Sequence, residues 1–318
     1  MKVIKPSYEI IKNNDQPMRH IEAIGRTCYK SGDRITDESA PRFIKMLVNN
    51  GHLAMVEHFI FIAKIPFAEY KVLQGINPKF INFSYLENGP IISYSARSIL
   101  DLLALSIEEV GLSAYKILDE IIEATAMQYS CPELFNLEEG HIYSFKPDID
   151  FISNENALNY FSDKEKYAHC WFSVRFICDR GVSHELVRHR VMSFAQESTR
   201  YCDYTDSKFD GELTFIEPHF YERRPDERFR WANAIAVSED TYNMLIAMDS
   251  TPQEARTVLP NSLKTEVCVT GRLTDWYHFF SLRADAPAHP SMRQLATPLL
   301  RECKSKYHNI FNDLKEVD

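Results

Sequence analysis

The segment 167–178, with the sequence YAHCWFSVRFIC, constrains the fold of this chain more than any other. Two sets of residues alternate along it: Phe172, Val174, Phe176 and Cys178 form one, and Trp171, Ser173 and Arg175 form the other. Alternation with a period of two is typical of a β-strand that buries one face. The chain is therefore predicted to contain a half-buried strand, and hence a sheet with an apolar layer packed against it.

The residues on either side of this strand predict a mixture of helices and strands. The turn Asp179-Arg180-Gly181 follows it, and Ser183 is predicted to cap a short helix that ends near His189. Thr251-Pro252-Gln253-Glu254 has the sequence of a capping box, with proline at the first helical position. The same criteria assign strands to 58–65, 91–97 and 263–270, and helices to 18–30, 41–49, 251–260, 273–283 and 290–307. Such a mixture is not typical of an all-parallel sheet.

Composition excludes several classes of protein. The 318 residues contain no repeat and no Gly/Ser linker, so one continuous domain over 1–318 is the simplest prediction. With 36 basic and 45 acidic residues the formal charge is −9, which excludes a generic binder of nucleic acid or of anionic membranes. No apolar run reaches the length of a membrane span, and the N-terminus lacks a signal-peptide pattern. Seven cysteines without a C-x-x-C pair indicate reduced thiols, and we expect a cytoplasmic protein.

The glycines exclude the two common loops that bind nucleotide phosphates. Among the 10 glycines there is neither a G-x-G-x-x-G nor a G-x-x-x-x-G-K-[ST] pattern. A nucleotide site in this chain would therefore have to use side chains.

The densest polar segment is 184–201, HELVRHRVMSFAQESTRY. Its arginines, Arg188, Arg190 and Arg200, suit an anionic planar ligand, because a guanidinium binds phosphate bidentately and stacks on flat rings. The alternative interpretation is a solvated surface with salt bridges. His184 and His189 are five residues apart, which does not match the spacing of a zinc hydrolase, and no metal is predicted.

A family resemblance rests on these residues. Arg188-His189-Arg190, followed after seven residues by Ser198 and then by Arg200-Tyr201, resembles the R-H-R-x7-S signature of the flavin-dependent thymidylate synthases. The similarity extends to GRTCYKS at 25–31, GHLAMVEHFIFIAKI at 51–65, ICDRGVSHELVRHR at 177–190, ARTVLP at 255–260 and FFSLRADAPAHPSMR at 279–293. It covers the first 65 residues and most of 167–305.

The resemblance implies a fold and a reaction. The fold is an α/β (α+β) body of mixed helices and a largely antiparallel sheet, assembled as a homotetramer with active sites between subunits. The reaction is the methylation of dUMP to dTMP, with 5,10-methylenetetrahydrofolate as the one-carbon donor and with NADPH reducing FAD, the source of the hydride. The partners would thus be small molecules and other copies of the chain, with neither nucleic acid nor membrane involved.

The resemblance also implies residue roles. FAD would contact His58, Arg188, His189, Arg190 and Gln196. The dUMP pocket would consist of Glu185, Arg188, Gln196, Glu197, Ser198, Thr199, Arg200, Arg256 and Arg283. The catalytic residues would be Ser198, Arg200 and Arg283. Arg256 would reach the nucleotide phosphate, whereas Arg283 would lie against the uracil, where its charge favours ionisation at N3 and makes C5 a better nucleophile.

Some positions depart from the common family pattern. Gln196 replaces a glutamate, Glu185 replaces a glutamine, and Arg272, Thr274 and His278 differ from the usual residues of their segment. A catalytically inactive family member is therefore one alternative, and a nucleic-acid-binding module that uses the Arg188–Arg200 cluster is another. The stretch 66–165 is a long insertion relative to compact members, and the sequence assigns no function to it.

Overall fold

The computed structural model describes residues 1–13, 15–137, 148–206, 211–307 and 309–317. The described strands are β1 Lys2–Ile4, β2 Ser7–Ile11, β3 Ile60–Lys64, β4 Asn82–Leu86, β5 Gly89–Ser95, β6 Asp150–Phe151, β7 Trp171–Asp179, β8 Ser193–Gln196, β9 Thr214–Ile216 and β10 Lys264–Arg272. The described helices are α1 Pro17–Gly25, α2 Ser39–Asn49, α3 Phe67–Gly75, α4 Ala96–Leu103, α5 Ile107–Val110, α6 Leu112–Tyr129, α7 Asn154–Tyr160, α8 Asp163–His169, α9 Arg180–Leu186, α10 Pro225–Ala247, α11 Pro252–Ala255, α12 Leu273–Arg283 and α13 Pro290–Lys306.

Two four-stranded antiparallel sheets form the framework. The central sheet has the order β2-β7-β10-β8, and the N-terminal sheet has the order β4-β5-β3-β6. A separate parallel pair joins β1 to β9. The predicted combination of helices with a largely antiparallel sheet is confirmed.

The longest pairing in the central sheet is that of β7 with β10. It runs from Lys264 opposite Asp179 to Arg272 opposite Trp171. Both strands are rich in β-branched and aromatic residues, which pack well on a pleated surface. On one face, Phe172 stacks on Trp276 of α12 with ring centroids 4.6 Å apart, and Trp276 Nε1 donates a hydrogen bond to the Phe172 carbonyl at 3.2 Å. The predicted alternation is therefore real, and α12 supplies the apolar layer.

The prediction that this strand is half-buried is wrong at its beginning. Trp171 and Ser173, on the opposite face, are also buried. Trp171 packs edge-on against Phe59 and His20, which come from the N-terminal part of the chain. Since both faces are covered there, polar Ser173 is buried and hydrogen-bonded rather than solvated.

Two large hydrophobic clusters lie on the two sides of the central sheet. One contains residues of β7, β10, α12 and α13. The other contains residues of α1, α2, β3, β5 and α6 together with Trp171. Residues from 66 to 135 thus share a core with residues from 21 to 65. The two sheets are also linked directly, since His169 is hydrogen-bonded to Ser93 and Ser84 of the N-terminal sheet at 2.9 and 2.8 Å.

Several element boundaries differ from the predicted ones. Residues 167–169 belong to α8, so the strand begins at Trp171. The cap of α9 is Asp179, whose Oδ1 accepts a hydrogen bond from the Val182 amide at 2.7 Å. Ser183 lies inside the helix and donates to the Arg180 carbonyl instead. The cap is therefore the carboxylate at the end of β7 and not, as predicted, the hydroxyl of Ser183 four residues later.

Helices α12 and α13 match their predictions closely, whereas the helix predicted over 251–260 is the short α11, Pro252–Ala255, followed by a 3-10 turn at Arg256–Val258. Helix α12 has the predicted bounds, and the capping box of Thr251 and Glu254 is formed. None of the seven cysteines forms a disulfide. Within the described ranges, no helix has both the length and the apolar content of a membrane span.

The N-cap of α9 provides a stability test. We expect Asp179→Ala to lower the free energy of unfolding by about 1 kcal/mol, because the Val182 amide loses its acceptor. Asp179→Asn should retain most of this stability, since an amide oxygen also accepts the hydrogen bond. Urea unfolding followed by circular dichroism measures both variants. Equal losses in the two would contradict the capping role.

Burial of His169 predicts a loss of stability in acid. Burial and the nearby charge of Arg272 lower the pKa of His169 to about 3, whereas an unfolded histidine titrates near 6.5. Below pH 6.5 the unfolded chain therefore binds a proton that the folded chain does not, and stability falls as the pH decreases toward 3. From pH 7 to pH 5 this residue should account for about 2 kcal/mol of that loss. Urea unfolding at the two pH values should give a smaller loss for His169→Gln, and an unchanged loss would contradict this origin.

Candidate active site

The segment that follows α9 returns to the central sheet as β8. Its register with β10 sets Ser193 opposite Thr270 and Gln196 opposite Val267. Residues 187–192 therefore connect the C-terminal end of α9 to β8, and residues 197–201 continue from the edge strand. This course brings the predicted site residues near α12 and near residues 26–57.

Arg283, at the end of α12, contacts the end of α9. Its Nη1 forms an ion pair with Glu185 Oε2 at 2.6 Å, and its Nη2 donates to the Glu185 carbonyl at 3.2 Å. Its Nε donates to His189 Nε2 at 3.1 Å. Three predicted site residues are thus in direct contact. The carboxylate of Glu185 has a cationic partner, so it does not add an uncompensated negative charge.

His189 is buried and neutral. Burial and the charges of Arg283 and His278 lower its pKa to about 4. Because Nε2 accepts the hydrogen bond from Arg283, the proton of the neutral ring resides on Nδ1. Nδ1 is buried and has no hydrogen-bond partner among the described residues. An unsatisfied buried donor of this kind is unfavourable unless a ligand supplies an acceptor.

Glu197 takes part in a buried charge network. Its Oε2 accepts from Lys264 Nζ at 2.7 Å, and its Oε1 accepts from the Tyr204 hydroxyl at 3.0 Å. Lys264 also bonds Glu266 at 2.7 Å, and Lys30 is bonded to the same carboxylate. Burial opposes ionisation of Glu266, but the two lysines outweigh it and lower the pKa of Glu266 to about 2. Both oxygens of Glu197 are therefore engaged within the protein.

Gln196 is held by two hydroxyls. Its Nε2 donates to Ser183 Oγ at 3.0 Å and to Thr265 Oγ1 at 3.2 Å. The amide nitrogen is thus used to fix the side chain. Ser183, the residue predicted to be a helix cap, serves here as the acceptor that orients a site residue.

The turn 198–201 is anchored at both ends. The Ser198 amide donates to the Cys28 carbonyl at 3.2 Å, and Ser198 Oγ accepts from the Arg200 amide at 3.2 Å. Arg256 Nη1 donates to Thr199 Oγ1 at 3.3 Å, and Arg200 Nε donates to Gln253 Oε1 at 3.1 Å. Both arginines are exposed, and within the described ranges neither pairs with a carboxylate.

Two concave regions adjoin these residues. The inner cavity, of about 200 Å³, is lined by residues that include Arg97, Arg190, Ser193, Thr270 and Arg272. The outer groove, of about 480 Å³, is lined by residues that include Tyr29, Met55, Arg97, Gln196, Ser198 and Tyr201. Arg97 lines both. The two regions therefore meet at one arginine.

Not every predicted residue reaches these regions. His58 is fully buried, and its Nδ1 is hydrogen-bonded to Thr270 Oγ1 at 2.8 Å. Thr270 in turn contacts Ser173 Oγ at 2.6 Å, and Ser173 contacts His20 at 3.1 Å. Burial, with a smaller contribution from His20, lowers the pKa of His58 to about 3. Of the predicted residues, Arg190 lines the inner cavity, and Gln196 and Ser198 line the outer groove. The others line neither region: Glu185, Arg188, His189, Glu197, Thr199, Arg200, Arg256 and Arg283.

Sequence reasoning missed three contributors to the site. Arg97 comes from the stretch to which the sequence assigned no function, Lys264 comes from a strand, and Tyr29 faces Tyr201 with ring centroids 5.9 Å apart. Tyr29 belongs to the GRTCYKS segment, so that resemblance was a usable signal. No motif or residue spacing around Arg97 or Lys264 indicates that either residue belongs to a site.

Comparison with known proteins agrees with the motif. The family model described as thymidylate synthase complementing protein matches residues 156–307. The chain is 33% identical over 177 residues to the flavin-dependent thymidylate synthase of Geobacter sulfurreducens, covering 56% of this chain and 71% of that protein. It is 32% identical over 175 residues to that of Pyrococcus furiosus, covering 55% and 68%, and 30% identical over 175 residues to that of Pyrococcus abyssi, with the same coverage. From the signature, the fold and these relatives, we conclude that the chain belongs to the flavin-dependent thymidylate synthase family.

Proposed function

We propose that this chain methylates dUMP to dTMP with 5,10-methylenetetrahydrofolate as the one-carbon donor and with NADPH-reduced FAD as the hydride source. The observation that carries the proposal is the contact of Arg283 with Glu185 and His189. It joins the residue expected at the uracil to a residue expected at the flavin. The co-substrates and the residue roles follow the family resemblance, and the geometry supports them as described below.

The residues present fit a bound flavin. His189 Nδ1–H is a buried donor without a partner among the described residues, and Arg190 is an exposed cation at the inner cavity. A neutral donor and a cation suit the polar ring edge and the anionic groups of a flavin. We propose that His189, Arg190 and Gln196 hold it, with Arg188 at its periphery and with His58 acting through Thr270. When bound, the reduced flavin supplies the hydride.

The nucleotide site is proposed around the turn 198–201. Arg200 and Arg256 hydrogen-bond neutral oxygens only, so their charges are available to the phosphate of dUMP. Ser198 and Gln196 line the outer groove and offer polar contacts. Thr199 accepts a hydrogen bond from Arg256, and Glu197 anchors the start of the turn by its ion pair with Lys264.

Arg283 is the proposed electrostatic catalyst. Its guanidinium stabilises negative charge on the pyrimidine, which raises the nucleophilicity of C5. The ion pair with Glu185 fixes the orientation of the guanidinium before substrate binds. Preorganised charge of this kind costs no reorganisation during the reaction.

The assembly is also proposed by resemblance. We propose one domain over 1–318 with residues 66–165 as an insertion, a homotetramer with active sites between subunits, and a cytoplasmic location in keeping with the free thiols. Analytical ultracentrifugation would measure the subunit number directly.

An absorbance spectrum tests the proposed function. After FAD is added and the excess removed, we expect the purified protein to retain flavin that NADPH bleaches anaerobically, at a rate that depends on dUMP. Formation of dTMP from dUMP and methylenetetrahydrofolate completes the test. Retention of flavin and dUMP without dTMP formation would identify an inactive family member. Absence of both flavin and dUMP binding would contradict the proposal, and a salt-dependent affinity for nucleic acid would then favour the binding module.

Substitution of Arg283 tests its proposed role. Arg283→Ala should lower kcat on the order of 100-fold while flavin retention changes little, because the lost interaction acts on charge that develops during the reaction. The kcat of Arg283→Lys should lie between those of the wild type and Arg283→Ala, since lysine keeps the charge but lacks the planar guanidinium that binds Glu185. The surface variant Arg19→Ala is the control for a lost arginine. Unchanged turnover in Arg283→Ala would remove this residue from the catalytic set.

A further inference from the structure

Arg97 lies where the two concave regions of the site meet. It follows Ser95, the cap of α4, and it lines both the inner cavity and the outer groove. Its position lies outside residues 156–307, which match the family model. It is therefore a contribution of α4 to a site whose signature residues come from the C-terminal half.

The guanidinium of Arg97 is held in place by two carboxylates. Its Nη1 is bonded to Glu57, and its Nε donates to Asp101 Oδ2 at 3.2 Å. Its Nη2 has no partner among the described residues, and the side chain is 37% exposed. The arginine is thus oriented by two of its nitrogens, while the third remains available to a ligand.

A second arginine lies in the wall of the same inner cavity. Arg272 is 8% exposed, and its guanidinium donates only to the Ser93 carbonyl at 3.2 Å, the Phe80 carbonyl at 3.4 Å and Ser93 Oγ at 3.4 Å. Across the described ranges it forms no ion pair. A buried charge whose hydrogen-bond partners are all neutral is favoured by an anion nearby.

The negative charges of the inner cavity are already engaged. Three carboxylates line it, those of Glu57, Asp101 and Asp275. The first two bind Arg97, and Asp275 accepts the amide hydrogen of Arg272 at 2.8 Å. Arg190, the third cation of the cavity, is exposed and unpaired among the described residues. Among the described residues, Arg190 and Arg272 therefore have no carboxylate partner, although the cavity has three arginines and three carboxylates.

The cavity lies between two junctions of strand and helix. Strand β5 leads directly into α4, whose second residue is Arg97, and β10 ends at Arg272, directly before α12. Each strand belongs to a different sheet, so the cavity lies where the two sheets adjoin. Ligand pockets are typically concave regions with a few convergent polar groups, which the arginines supply here.

We propose that Arg97, together with Arg190 and Arg272, binds a phosphate group of a substrate or cofactor at this junction. The proposal rests on the proposed function, which supplies two phosphate-bearing molecules: the flavin dinucleotide and the pyrimidine nucleotide. Both present the same chemistry to a guanidinium. Arg97 is in this account a binding residue of the active site, contributed by the stretch 66–165.

Binding measurements on Arg97→Ala test the proposal. We expect it to weaken binding of one phosphate-bearing molecule roughly tenfold or more, as for the loss of a charge-assisted hydrogen bond. Titrations of FAD by flavin fluorescence and of dUMP by calorimetry, on the full chain, distinguish the two sources. Weaker FAD binding alone assigns the site to the dinucleotide, and weaker dUMP binding alone assigns it to the nucleotide. Unchanged affinity for both in a folded variant overturns the proposal.

Three controls separate binding from stability and from the proposed function. Arg97→Lys should recover part of the affinity, and Arg19→Ala, which also removes an arginine paired with an aspartate, should bind like the wild type. Pyrophosphate alone should raise the thermal midpoint of the wild type more than that of Arg97→Ala. If the wild type binds neither FAD nor dUMP, the proposed function fails, yet a pyrophosphate effect that depends on Arg97 would still support the phosphate site. No such effect in that case would overturn both.

Discussion

The antiparallel pairing of β7 with β10 determines where the candidate site residues Arg283 and Glu185 meet. The pairing spans nine positions, a length of about 27 Å, with α9 leaving one end and α12 leaving the other. At a rise of 1.5 Å per residue, the 11 residues of α12 extend about 16 Å and the 7 residues of α9 about 10 Å. Helices that fold back over the same face from opposite ends therefore meet with their C-termini, which is where Arg283 contacts Glu185. A shift in the strand register would separate this pair.

Electrostatics inside the site differ from those of the whole chain. The formal charge is −9, yet the carboxylates near the site are engaged: Glu185 by Arg283, Glu197 by Lys264, and Glu57 by Arg97. Arg200 and Arg256 contact neutral oxygens instead. Because these ion pairs neutralise the carboxylates, the remaining cations favour an anion in the site. The net charge of the whole chain does not reveal this local preference. The neutral histidines follow the same logic, since burial near cations disfavours a further positive charge.

Local sequence patterns predict those helices and strands that are determined by residues close together in the sequence. Helix α12 and the capping box at Thr251 depend on neighbouring residues and were predicted correctly, as was the alternation in β7. The burial of Trp171 and the cap at Asp179 were missed, because the first depends on a distant sheet and the second on where a strand ends in three dimensions. Three residues of the candidate site, Arg283, Glu185 and His189, are in contact with one another. His58, in contrast, is fully buried. The role proposed for Arg97 depends on a cavity between two sheets, which no spacing in the sequence encodes.

The stretch 66–135 affects the site through packing as well as through Arg97. Its apolar residues share a cluster with Ile21, Phe43 and Phe59, and Trp171 of the central sheet packs into that cluster. The guanidinium of Arg272 also depends on this stretch, since its partners are the carbonyls of Phe80 and Ser93. The stretch 66–135 therefore orients two arginines at once: its helix α4 carries Arg97, and its carbonyls accept hydrogen bonds from Arg272. Ser93 and Arg97 are four residues apart, at the end of β5 and the start of α4, so the contact of Arg272 with Ser93 ties the positions of the two arginines to each other. Repacking the core around β5 would therefore alter the inner cavity without touching the R-H-R segment.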